Sequence, residues 1–157
     1  MGGLSGPLPV PVENPLLLSG LALSGANRRA LASGDGDDGI LTAEEVAGLD
    51  LGGVELAVLS ACDTGVGEIT AGEGVFGLRR AFQIAGARSV IMSLWSVDDL
   101  ATRVWMKALY EGRFYRNLPT ADAVHEASLS VLRDRRGKGL STHPFYWAAF
   151  VGAGDWH

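Results

Sequence analysis

The chain has 157 residues, 47% of them hydrophobic and 20% charged, which suits one domain with a packed core and excludes global disorder. A net charge of −5 excludes the broad basic surface of a nucleic-acid-binding protein, and a single cysteine excludes an intramolecular disulfide. No apolar run approaches the roughly 20 residues needed to span a bilayer, and no basic-then-apolar leader opens the chain, so a cytoplasmic protein without membrane contact is expected.

Residues 1–13 hold three of the six prolines and read as an extended N-terminal arm, with the domain proper over 14–157. An apolar stretch follows, "LLLSGLALSGAN", which suits a short strand at 19–23. "SGDGDDG" is an acidic turn. Ile40 and Leu41 then lead into a helix. Thr42 and Glu45 have capping-box spacing, and Gly48 closes that helix.

Residues 54–61 are nearly continuous aliphatics and read as a buried strand, followed by a loop over 62–71. Val75, Leu78, Phe82 and Ile84 recur at helical spacing within 72–87, with Gly86 as the stop. "RSVIMSLW" (88–95) is a second buried strand. Asp98 or Asp99 opens a helix expected to run to 115, and Pro119-Thr120 opens another to 136. The basic cluster at 133–138 reads as the solvated end of that helix. A third strand is expected at 147–151. Strands alternating with helices imply an α/β sandwich with a mostly parallel sheet.

Two motif matches fail on chemistry. Gly72-Glu-Gly74-Val-Phe-Gly77 fits GxGxxG, but about ten residues separate it from the preceding strand, and Glu73 would face the phosphates. "DGDDGILTAEE" resembles a calcium loop, yet the first and third ligand positions fall on Gly34 and Gly36. The three histidines, His125, His143 and His157, lack metal-ligand spacing. No cofactor or metal is expected.

Cys62 stands at the end of the 54–61 strand, before a loop of Asp, Thr and glycines. The carboxyl ends of strands are where α/β folds carry chemistry. A thiolate there can attack a carbonyl while its own N–H helps hold the oxyanion. The other reading is a small buried hydrophobe, the commonest role of a free cysteine.

The run "VELAVLSACDTGVGEITAGEGVFGLRRAFQIAGARSVIMSLWSVDD", with "HPFYWAAFVGAGDW" after it, resembles the C-terminal part of a CHAT domain. "NPLLLSGLALSGAN" and "DDGILTAEEVAGLDL" are similar to segments lying between that family's two catalytic strands. CHAT domains are caspase-like cysteine peptidases related to separase, often found beside tetratricopeptide repeats in bacteria. The resemblance implies a caspase-like three-layer sandwich, incomplete on its N-terminal side, with Cys62 at the nucleophile position.

The family's second catalytic residue is a histidine in a His-Gly motif ahead of the "NPLLLSGLAL" segment. No histidine precedes His125 here. An unassisted thiol with a pKa near about 8.5 is mostly protonated at neutral pH. The expectation is therefore an endopeptidase domain that is inactive as this chain. A separate N-terminal partner segment supplying the histidine, or a homo-oligomer covering an open sheet edge, would complete it. The alternative is a catalytically dead scaffold acting in protein–protein interaction.

Related caspase-like peptidases line their S1 pocket with the segment after the second strand, here Ser93-Leu94-Trp95-Ser96-Val97-Asp98-Asp99. Asp98, Asp99 and Asp63 would favour a basic P1 side chain of a protein or peptide substrate. Asp98 or Asp99 can equally serve as a helix cap, and Trp95 as pocket wall or core.

Overall fold

A computed structural model describes residues 16, 19–27, 38–60 and 73–155, without the side chains of 73–75. β1 (Gly20–Ala22) pairs antiparallel with β2 (Ile40–Thr42), Gly20 opposite Thr42. The strand expected at 19–23 is present in shortened form. Its partner was legible only as a lead-in to a helix, because three residues carry no period.

Thr42 ends β2 and caps α1 (Ala43–Ala47). Its Oγ1 accepts from the Glu45 N–H at 3.2 Å, and Glu45 Oε2 accepts from the Thr42 N–H at 2.8 Å. Two otherwise orphaned donors are satisfied, as the spacing required. The Glu45 carboxylate, which a calcium loop would need, is committed to this cap.

The main sheet has the order β3 (Leu56–Leu59), β4 (Ser89–Ser93), β5 (Phe150–Gly154). β3 and β4 are parallel, with Leu56 opposite Ser89 and Leu59 opposite Met92. α2 (Glu73–Ile84) makes the crossover between them. Gly86 ends that crossover at φ +108°, and the Ala87 N–H reaches back to the Phe82 carbonyl at 3.0 Å.

Side chains alternate across the sheet. Ala57, Leu59, Val90, Met92 and Val151 pack with Phe82 of α2. Leu56, Val58, Ile91 and Phe150 pack with Trp105 and Leu109 of α3 (Asp99–Tyr110) and with Ala123, Ala127 and Val131 of α4 (Thr120–Gly137). The molecule is thus a three-layer α/β sandwich. α1 and Leu41 of the small hairpin close over Leu78 and Ala81 on the outside of α2. All five residues of β4 are buried, since helices cover both its faces and β3 and β5 flank it. Among the described residues β3 is an outer strand, hydrogen-bonded only to β4.

The third strand departs from the expectation in direction and position. β5 pairs antiparallel with β4, Phe150 opposite Ser93 and Gly154 opposite Ser89. The cause is the helical hairpin between them. Trp105 meets Ser128 and Gly112 meets Ala123, so α3 and α4 run antiparallel. Two returns leave the chain at the carboxyl end of β4, from which it can only run back. The strand also starts three residues later than expected, because residues 144–146 form a 3₁₀ turn. The helix expected to reach 115 ends at Tyr110, and Glu111–Tyr115 widens into a π-helical turn.

The sheet tolerates no side chain at Gly154. Its φ is +115°, and an added Cβ would run into the Arg88 carbonyl oxygen and lie 3.0 Å from the Ser89 Cα. Gly154→Ala is expected to cost about 2 kcal/mol or more, by combining left-handed strain with a backbone clash. Urea unfolding checks this. A loss below about 0.5 kcal/mol would mean that β5 is not held against Arg88 as described.

Candidate functional site

The parallel pair fixes which end of the sheet matters. β3 stops at Leu59, level with Met92, and the chain continues through an exposed Ser60. Cys62 and Asp63 follow in sequence and lie outside the described residues. The described side of the site is therefore built by two loops, the one after β4 and the one before β5.

These loops are tied together at several points. The Leu94 N–H donates to the Ala149 carbonyl at 2.9 Å, which extends the β4–β5 pairing by one step. Trp95, half-buried, donates its indole N–H to the Phe145 carbonyl at 2.9 Å. Its ring stacks on Phe145 at 6.3 Å with an 18° interplanar angle. Phe145 in turn meets Tyr146 edge-on at 5.3 Å.

The α4–β5 connection is anchored from below as well. Arg135 Nε donates to the Ser141 carbonyl at 2.6 Å, and its guanidinium lies 3.4 Å from the Tyr146 ring centroid. The Trp147 indole donates to the Thr142 carbonyl at 3.0 Å. His143 accepts the Phe145 N–H on Nδ1 at 3.2 Å, capping the 3₁₀ turn. The basic cluster read as a solvated helix end thus contributes Arg135 as a clamp on this loop. Phe145 and Tyr146 were missed as site residues. The aromatic density of "PFYW" was the available signal, but the partners are 50 residues apart in the Trp95–Phe145 contact.

Asp98 is the N-cap of α3, its Oδ1 accepting the Ala101 N–H at 2.9 Å. Asp99 is exposed in the first turn of the same helix. Both carboxylates sit where the peptide dipoles of α3 converge, so the helix partly offsets their charge. Asp98→Ala is expected to destabilise by about 1 kcal/mol, or about 2–4 °C in Tm, with Asp98→Asn restoring most of it. A Tm for Asp98→Ala equal to that of the native chain would contradict the cap.

His125 is exposed on α4 and His143 is exposed while its Nδ1 caps a turn. Among the described residues no group of three His, Cys, Asp or Glu side chains could hold a metal ion. A small cleft at the opposite end of the sheet is lined by Glu55, Arg88, Ser89, Arg113, Thr120 and Asp155. It lies at the amino ends of β3 and β4, where the strand geometry offers no chemistry.

The sequence profile of the CHAT domain matches residues 4–155, nearly the whole chain. The chain belongs to the CHAT domain family. Curated relatives include Tetratricopeptide repeat protein 28 of Homo sapiens, 37% identical over 112 residues, and its Mus musculus counterpart, 35% identical over the same length. These matches cover 71% of this chain but only 4% of each relative. In this CHAT domain the described part of the site is an aromatic rim, Trp95 with Phe145 and Tyr146, and a capped acidic helix start. Among the described residues no helix is long and apolar enough to cross a membrane.

Proposed function

We propose that this CHAT domain is a caspase-like cysteine endopeptidase domain, with Cys62 as nucleophile and a preference for a basic P1 residue. The observation that carries the reading is the end of β3 at Leu59, at the carboxyl end of the parallel pair, three residues before Cys62 in the sequence. The carboxyl end of a parallel pair is where α/β folds bring reacting groups together. The Cys62 thiolate would attack the scissile carbonyl, and its own N–H would donate to the oxyanion.

Asp63 would pair with the basic P1 side chain, with Asp98, Asp99 and Trp95 at the rim. Because the α3 N-terminus offsets Asp98 and Asp99, Asp63 carries most of the selectivity. The chain has no histidine before His125, and His143 Nδ1 is committed to Phe145. Hydrolysis by this chain alone is therefore expected to be slow. Among the described residues β3 is an outer strand, and its edge would offer a pairing site for an N-terminal partner segment bringing a histidine, or for a second copy.

Covalent labelling reads the pocket without requiring turnover. An acyloxymethyl ketone with Arg at P1 is expected to modify the thiol faster than the same reagent with Asp at P1. Asp63→Asn should lower the Arg-directed rate about tenfold, the worth of one partly buried charge-assisted contact. Equal rates for the two reagents would remove the basic preference. A second reading, a scaffold for protein–protein interaction, draws support from the committed His143 and from aromatic rings exposed on the α3 side. A folded chain whose cysteine reacts no faster than free glutathione would favour it.

A further inference from the structure

The cleft at the amino ends of β3 and β4 forms where the helical layer meets the sheet. Arg113 lies in the π-helical turn after α3, and its Nη1 donates to the Leu118 carbonyl at 2.6 Å. The Leu118 N–H donates to the Gly112 carbonyl at 2.9 Å. Leu118 is thus held on both sides, which sets Thr120 at the start of α4 beside Arg113. On the sheet side, Ser89 Oγ donates to the Asp155 carbonyl, and the Asp155 N–H donates to the Arg88 carbonyl at 2.9 Å. Both walls are fixed by the fold itself.

Several donors at this cleft have no partner. Thr120 is 4% exposed, and its hydroxyl makes no hydrogen bond among the described residues. The little surface that Thr120 keeps opens into the cleft it lines. A buried hydroxyl left this way costs stability until something bonds to it. α4 is 18 residues long, but its N-cap is Pro119, which has no capping side chain. Among the described residues nothing accepts from the N–H groups of Thr120, Ala121 or Asp122. Such a helix start favours negative charge.

The charges are divided between the two walls. The helical wall carries Arg113 and the positive end of α4, while Asp122 is exposed and outside the lining. The sheet wall carries Glu55, Arg88 and Asp155, a formal −1. The lining as a whole sums to zero. Glu55, Arg88 and Arg113 enter no ion pair among the described residues, so the two signs do not cancel by contact. A lone anion or a lone cation would be attracted by one wall and repelled by the other. A ligand with both signs gains from both. The space is about 80 Å³, enough for about five waters or for five heavy atoms, the number in glycine.

We propose that this cleft binds a small zwitterion of the α-amino acid class. Its carboxylate accepts from Arg113, the Thr120 hydroxyl and the first N–H of α4. Its ammonium donates to Glu55 and Asp155. Binding there is at the opposite end of the sheet from the end of β3 that leads to Cys62, and involves no thiol chemistry.

Glycine titrated into the isotopically labelled full chain, followed by amide NMR, tests this. Saturable shifts are expected at the Ser89 and Thr120 amides. Acetate and methylammonium, each carrying one of the two charges, should bind at least about tenfold more weakly, the worth of one charge-assisted contact. Thr120→Val and Glu55→Gln should each weaken glycine binding about tenfold on the same grounds. Without ligand, Thr120→Val should melt no lower than the native chain, because the hydroxyl it removes has no partner to lose. Absence of a saturable shift with glycine, or acetate binding as tightly as glycine, would overturn the proposal. So would native glycine affinity in both variants, or a lower Tm for unliganded Thr120→Val, which would make the hydroxyl a structural anchor.

Discussion

Trp105→Ala is expected to destabilise the chain by about 3–5 kcal/mol, a drop of about 10 °C in Tm. Trp105 is 1% exposed and is the largest of the fully buried side chains. Its ring stacks on Phe150 of β5 at 4.1 Å with a 19° interplanar angle. Its indole N–H donates to Ser128 Oγ of α4 at 3.2 Å. One side chain therefore joins α3, α4 and β5. Truncation empties the space between the layers, and the surrounding Ile91, Leu109 and Phe150 cannot all close over it, since each is fixed by its own element. Trp105→Phe keeps most of the stacked area while losing the hydrogen bond, so its cost should be about 1–2 kcal/mol. Urea unfolding with an unchanged m-value checks both. A loss below about 1 kcal/mol for the alanine variant would mean that α3 and α4 do not meet over Phe150.

Cys62→Ala is expected to abolish labelling by the Arg-directed acyloxymethyl ketone, by roughly a thousandfold or more in rate. In that reaction the sulfur bonds to the methylene carbon beside the ketone, and the carboxylate leaves with the bonding electrons. No other side chain in the chain is a thiol. A carboxylate beside the reagent is too weak a nucleophile to take the place of the thiol. Cys62→Ser should be nearly as inert, because a hydroxyl without an assigned base is a far weaker nucleophile than a thiol. Retained labelling in Cys62→Ala would transfer the chemistry elsewhere.

The legible parts of the fold are those with a local cause. β4 reads as a strand because it is buried on both faces and so is apolar along its length. Thr42 and Glu45 read as a cap because the partners are three residues apart. β2 was hidden by its brevity. The antiparallel course of β5 was hidden because hydrophobic pattern carries no direction; it follows only from counting the returns of α3 and α4. The π-helical turn depends on how closely Gly112 approaches α4, a tertiary fact.

The site divides along the same line. Asp98 was legible as a candidate cap, and the cap is what it forms. Trp95 was open between wall and core. It is instead a tie that holds the Phe145 loop by its indole N–H and ring face, a contact between distant parts of the chain. Cys62 and Asp63 rest on the sequence motif and on the family, with the end of β3 three residues before Cys62 as physical support.

Whether Cys62 is a nucleophile inside a formed pocket is tested most directly by peptide mapping of the native chain after Arg-directed labelling. The expected result is a single adduct on Cys62, formed faster than on glutathione at the same pH and lost when the chain is unfolded in urea before the reagent is added. Labelling that is no faster than on glutathione, or that rises on unfolding, would show an ordinary thiol and contradict the peptidase reading.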